Sequence, residues 1–133
     1  MLLGSNIVIY TLEPGYDSVR RFIDGQEAMV FAVSRVEVLG YHKLTSQHHR
    51  KLEELFRSLP VLPVSDPIIE RAISLRQQRR MSLGDALIAA TALAHDLKLV
   101  TANIHDFDWI EGLEVVNPVD SVNYRVGRGI RVA

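Results

Sequence analysis

Cysteine is absent from all 133 residues of the chain. That excludes a disulfide framework, a cysteine-ligated zinc or iron–sulfur centre and a thiol nucleophile. Charge of one sign is missing too: 15 Lys and Arg stand against 16 Asp and Glu, for a formal net charge of −1. A protein that coats nucleic acid by bulk charge is more basic than this, so any such contact must come from local patches. The longest mostly apolar stretch, Ala86 to Ala94, falls far short of the ~20 residues of a membrane span. The N-terminus lacks a basic start and sets Ser5 and Asn6 inside its first apolar stretch, a poor pattern for a signal peptide. There is no glycine-rich phosphate loop, serine-nucleophile elbow or dinucleotide fingerprint. What remains is 47% hydrophobic and 23% charged, an ordinary soluble composition. Its length suits one domain that buries about two-thirds of its unfolded surface. The expectation is a single cytoplasmic domain over residues 1–133, with its core at about 2–118 and a basic tail beyond.

Short apolar runs alternate with amphipathic ones. Leu2 to Tyr10, Ala28 to Val33, Val61 to Val64, Leu97 to Thr101 and Leu113 to Val116 read as strands, the first buried on both faces. Pro63 places the third at an edge or a strand end. Helices are predicted over Asp17 to Ile23, from Ser34 to about Lys43, and over Ser46 to Leu59 with Leu52, Leu55, Phe56 and Leu59 on one face. Asp66-Pro67 reads as a cap followed by a first-turn proline, opening a helix to about Arg80. Asp85 to His95 is apolar on nearly all sides, as a central buried helix is. This alternation predicts an α/β fold, a mainly parallel sheet of four to five strands with helices on both faces. The tail from Ser121 carries Arg125, Arg128 and Arg131 and no acid.

Three acids share one local context. Ser34-x-x-Glu37, Ser82-x-x-Asp85 and Asn103-x-x-Asp106 each set a carboxylate three residues after a helix-capping side chain. Taken singly, each is explained by a capping box and the helix dipole. Taken together they allow a second explanation. Residues just past the carboxyl ends of strands line the crevice of an open α/β sheet. Three carboxylates meeting there repel one another unless a cation joins them, and hard oxygen ligands suit Mg²⁺ or Mn²⁺.

Longer stretches carry a resemblance. Leu2-Leu3-Gly4-Ser5-Asn6-Ile7-Val8-Ile9-Tyr10, Ser34-Arg35-Val36-Glu37-Val38-Leu39-Gly40, Gly84-Asp85-Ala86-Leu87-Ile88-Ala89-Ala90-Thr91-Ala92, Leu99-Val100-Thr101-Ala102-Asn103-Ile104-His105-Asp106-Phe107 and Gly112-Leu113-Glu114-Val115-Val116-Asn117-Pro118 resemble, in order, the motifs of PIN-domain ribonucleases. The subgroup they resemble most is the VapC toxins of toxin–antitoxin pairs. The resemblance covers about residues 2 to 118, and the block around Asp85 is its most specific part. It implies a compact three-layer α/β/α sandwich that cuts RNA with Mg²⁺ or Mn²⁺, forms a homodimer and is restrained by a small VapB-like antitoxin. Carried over residue by residue, Glu37, Asp85 and Asp106 fall on the catalytic, metal-site positions. Asn103 falls on a neighbouring polar position where some members carry the fourth acid, and Ser5 and Asn6 fall beside the first. One departure stands out: the family's aspartate at the end of the first strand motif is Gly4 here. Losing it removes a metal ligand and a negative charge, so the expected ribonuclease is inactive or weakened. The alternative is a non-catalytic PIN-fold module that binds an antitoxin or RNA.

Other features have plainer explanations. Arg71, Arg76, Arg79 and Arg80 suit a helix C-terminus, and Arg76, Arg79 and Arg80 are also candidate phosphate contacts along RNA. His48, His49 and His105 lack ligand spacing. Trp109 reads as a packing anchor before a base-stacking platform. A receiver-like or phosphatase domain would need an aspartate at the end of an internal strand, which none of the strand candidates supplies.

Overall fold

A computed structural model describes residues 1–119. Five short parallel strands form one sheet: β1 (Leu2–Leu3), β2 (Met29–Phe31), β3 (Val61–Leu62), β4 (Leu99–Val100) and β5 (Val115–Val116), in the spatial order β3-β2-β1-β4-β5. Leu2 pairs with Met29 on one side and with Leu99 on the other, which makes β1 the centre of the sheet. Six α-helices connect and cover it: α1 (Ser5–Tyr10), α2 (Asp17–Ile23), α3 (Ala32–Leu39), α4 (Ser46–Ser58), α5 (Asp66–Gln78) and α6 (Leu83–Ala94).

Side chains that alternate along a strand point to opposite faces of the sheet, and here they build two cores. Leu2, Phe31 and Leu99 pack with Ile68, Ala72 and Leu75 of α5 and the alanine-rich face of α6. Leu3, Val30 and Val100 pack with Ile7 and Val8 of α1, Val19 of α2, Val38 of α3, and Leu52 and Phe56 of α4. The result is the expected three-layer α/β/α sandwich. Leu2, Leu3, Leu99 and Val100 are fully buried, and each such side chain contributes about 1.5–3 kcal/mol relative to exposure.

Several boundaries differ from the expectation. Leu2 to Tyr10 is not one strand: the strand stops at Leu3 and Ser5–Tyr10 is helix, with Val8 N–H donating to Gly4 O at 3.2 Å. An apolar run buried on two sides carries no periodicity that separates strand from helix, and packing of Ile7 and Val8 decided the outcome. The helix expected from Ser34 starts two residues earlier, directly after β2, and ends at Leu39. Ser34 therefore sits inside α3, 1% exposed, and its Oγ has no hydrogen-bond partner. The Ser34-x-x-Glu37 capping box does not form. On α5 the cap position belongs to Ser65, with Asp66 and Pro67 in the first turn, and the helix ends at Gln78. Thr45 caps α4, its hydroxyl accepting from His48 N–H at 3.2 Å. Strand β3 lies at an edge, where Pro63 following it removes no ladder bond. The arginines of the tail, Arg125, Arg128 and Arg131, lie outside the described residues. Among the described residues no helix is long and apolar enough to cross a membrane.

Candidate active site at the ends of the central strands

The chain builds β1, β2 and β3 to one side of the sheet, then crosses to β4 and β5 on the other. The strand order thus reverses between β1 and β4, and in parallel sheets a crevice opens beyond the carboxyl ends of the strands at such a point. A cleft of ≈ 110 Å³ lies there, lined by Gly4, Ser5 and Asn6 after β1, Thr101 and Asn103 after β4, Glu37 of α3, and Gly84 and Asp85 of α6, above apolar Ile88, Leu99 and Phe107. Six of the sequence-derived site positions, Gly4, Ser5, Asn6, Glu37, Asp85 and Asn103, line this one cleft.

The polar groups are held in different ways. Asp85 stands in the first turn of α6, where Ser82 Oγ accepts its backbone N–H at 3.1 Å. Of the three capping boxes expected from the sequence, this is the one in which the capping side chain accepts the backbone N–H of the acid. Glu37 is brought in by the second turn of α3, and its Oε1 accepts a 2.8 Å bond from Ser5 Oγ. Asn103 precedes a 3₁₀ turn, Ile104–Asp106, without capping it by its side chain. Its N–H instead donates to Thr101 Oγ1 at 3.1 Å. Asp106 is exposed and lies outside the cleft lining, yet it acts on the cleft electrostatically. Burial pushes the Asp85 carboxyl above its ordinary value, and the Asp106 and Glu37 charges push the same way. A hydrogen bond from Ser82 opposes them without reversing the direction.

The donors are all oxygens, which fits a hard divalent cation in kind. Among the described residues, however, no three His, Asp or Glu side chains converge closely enough to enclose an ion. Mg²⁺ takes one or two carboxylates and keeps several waters, so a pair of these acids beside the cleft is compatible with it.

Two of the three candidate phosphate contacts have partners within the chain. Arg76 Nε donates to Met81 O at 3.2 Å, and the Arg79 guanidinium lies 5.3 Å from the centre of the Trp109 ring. Arg80, which lines a hollow with Ile73, Arg76, Gln77 and Met81, has neither tie. Trp109 packs against the α5–α6 core, as an anchor does, and its Nε1 donates to Asp106 O at 3.0 Å.

Sequence reasoning assigned no role to Gly84 and Thr101. A Cβ on Gly84 would stand 2.8 Å from Glu37 Oε2, so the absent side chain lets α3 and α6 bring their acids together. The signal was present: a glycine in the first turn of an alanine-rich helix is disfavoured unless something approaches closely.

This arrangement defines a class. A family model described as PIN domain matches residues 1–112, and the chain belongs to the PIN domain family. It is 29% identical over 127 residues to Ribonuclease VapC1 of Rickettsia felis, covering 87% of this chain and 94% of that protein. It is 34% identical over 90 residues to Ribonuclease VapC10 of Mycobacterium tuberculosis, covering 64% of this chain and 66% of that one. Among solved structures, a toxin–antitoxin complex from Klebsiella pneumoniae contains a chain 29% identical, with a TM-score of 0.74 over 88% of this chain and 96% of that chain. VapBC2 from Rickettsia felis, bound to a DNA fragment from its promoter, superposes with a TM-score of 0.77 at 24% identity, over 87% and 96%; that likeness concerns the fold.

Proposed function

We propose that this chain is the toxin of a toxin–antitoxin pair, an endoribonuclease of VapC type whose divalent-metal site is weakened by Gly4. The observation that carries this reading is the convergence of Ser5, Glu37, Asp85 and Asn103 on one cleft at the sheet's reversal point, with Asp106 near enough to raise the proton affinity of Asp85. A capping explanation accounts for Asp85 alone. It leaves Glu37, which caps nothing, without a reason to face the same cleft.

Glu37 and Asp85 would hold Mg²⁺ or Mn²⁺ directly or through water, with Asp106 and Asn103 completing the shell. Such a cation, when bound, polarises a phosphoryl oxygen and lowers the pKa of water. Ser5 fixes the Glu37 carboxylate by its 2.8 Å bond, and Arg80 would be a contact for an RNA phosphate. The antitoxin has a seat beside the cleft. A cavity of ≈ 260 Å³, lined by Ile9, Leu12, Val38, Tyr41, Leu44 and Leu52 and edged by Glu13, Lys43 and His48, shares Glu37 with it. A partner that seats an apolar side chain there can place an Arg or Lys on the Glu37 carboxylate, a charge-assisted pair.

Purified protein and its Gly4→Asp variant, incubated with a panel of structured RNAs and Mg²⁺ or Mn²⁺, test the reading. Gly4→Asp should cut and the parent should cut little or not at all; adding Asp85→Asn to Gly4→Asp should abolish cleavage with the fold intact. A Gly4→Asp protein that cuts nothing would favour the second reading, a non-catalytic module that keeps the partner surface, to which Gly4 itself points.

A further inference from the structure

Trp109 is the chain's single tryptophan. It follows the 3₁₀ turn that carries Asp106, and its Nε1 donates a 3.0 Å bond to the Asp106 backbone oxygen. Arg79, the first residue beyond α5, places its guanidinium 5.3 Å from the ring centre. Three residues earlier, Arg76 Nε holds Met81 O at 3.2 Å, and Ser82 next to it accepts Asp85 N–H at 3.1 Å. One series of contacts therefore runs from Asp106 through Trp109 and Arg79 to the loop that opens α6 at Asp85.

Something must hold that geometry. A three-residue 3₁₀ turn is weakly stable by itself, and Asn103 gives it no side-chain cap. Asp85 and Asp106 are like charges, which repel when brought close without a cation between them. We propose that Trp109 is a positioning residue: it clamps the Asp106 turn against the loop before Asp85 and so fixes the separation of the two carboxylates. The inference rests on the metal-site reading of the cleft. It also gives Arg79 a structural duty in place of the phosphate contact expected from the sequence.

The test is a double-mutant cycle in the Gly4→Asp background, with Mn²⁺ affinity read by calorimetry. Trp109→Phe keeps an aromatic face for Arg79 and loses only the N–H donor and one ring. It should weaken Mn²⁺ by about two- to tenfold, the effect of one net hydrogen bond. Added to Asp106→Asn it should weaken binding no further, because it acts through Asp106. Unchanged affinity, or an equal loss in both backgrounds, would overturn the proposal. Arg79→Gln, which leaves the ring in place, should shift affinity in the same direction, and no shift in either variant counts against the clamp. If none of these proteins binds Mn²⁺, the metal-site reading falls, and amide exchange at 106–108 then decides the clamp by itself. Faster exchange in Trp109→Phe at an unchanged melting temperature supports it, and equal exchange overturns it.

Discussion

The Glu37 carboxylate occupies the place where a side chain on Gly84 would begin: Oε2 lies 2.8 Å from the ideal Cβ position, while Oε1 accepts the Ser5 hydroxyl at 2.8 Å. Helix α3 and helix α6 meet at this point, so a glycine on one sets the position of an acid on the other. Gly84→Ala gains about 0.5–1 kcal/mol of intrinsic helix preference. The neighbour it displaces is the far end of a flexible, exposed side chain, which yields at small cost. The melting temperature should therefore hold or rise. In the Gly4→Asp background, Mn²⁺ affinity should fall, because Glu37 is pushed off its Ser5 partner. Calorimetry and a thermal melt on the same samples read both effects, and unchanged metal affinity would remove Glu37 from the site.

Asp85 predicts a stability effect with a defined sign. Its folded pKa lies above the ordinary value of 3.8, so the native state binds this proton more tightly than the unfolded chain does. The stabilisation linked to that proton is complete below the ordinary value and is lost as pH rises through the raised one. Burial and the Asp106 and Glu37 charges raise the Asp85 pKa, against the hydrogen bond from Ser82. Asp85→Asn should accordingly be more stable than the parent at neutral pH. The advantage should shrink as pH falls toward 3.8. Melts across pH 3 to 8 would show it, and a constant difference would refute it.

Position 4 couples the same electrostatics to metal. Gly4 caps α1 in an extended conformation, φ −69°, ψ 160°, which any residue adopts and in which aspartate is a good helix cap. Against that, a Cβ there would stand 3.1 Å from the Val100 carbonyl oxygen, so β4 must give by a few tenths of an ångström. Gly4→Asp also adds a negative charge beside Asp85. The variant should melt below the parent without divalent ions and gain more than the parent when Mn²⁺ is added, since a ligand of the native state stabilises by mass action. Gly4→Ala carries the steric change without the charge. It should show the lower melt and no greater Mn²⁺ response than the parent.

How much of this was legible from the residues alone depends on where the information resides. The five strands, their parallel arrangement and the layer order follow from alternation of apolar runs, because a strand buried on two faces has few other ways to be written. The boundary at Gly4 was not legible: Ser5–Tyr10 is as β-branched as a strand, and only the sites waiting for Ile7 and Val8 in the core make it helical. Asp85 was readable through Ser82, a local bond. For Glu37 the local spacing misled, since Ser34 is a buried helix residue rather than a cap, and only the motif resemblance singled it out. Its actual partners, Ser5 and Gly84, are far away in sequence, and no local pattern encodes them. Likewise Met81 and Trp109, the partners of Arg76 and Arg79, become visible only in three dimensions.

The apolar surface bears on assembly. The homodimer that the resemblance implies cannot use the inner faces of α4 and α5, because Leu52, Phe56, Ile68, Ala72 and Leu75 are buried in the chain's own two cores. Ile69 and Ile73 on α5 remain outside, 41% and 47% exposed, as do Val36 at 71% and Leu83 at 60%, which precede Glu37 and Gly84 directly. Ile69 and Ile73 stand four apart on α5 and so share one face; exposed apolar faces mark association surfaces, and a two-fold pair is the commonest closed arrangement. A homodimer should therefore form through the Ile69–Ile73 face of α5. Ile73→Asp should convert it to a 15.0 kDa monomer without lowering the melting temperature of the fold itself, because Ile73 belongs to neither core. Light scattering at tens of micromolar distinguishes the outcomes. A parent protein that is already monomeric there, or an Ile73→Asp dimer, would place the association surface elsewhere or nowhere.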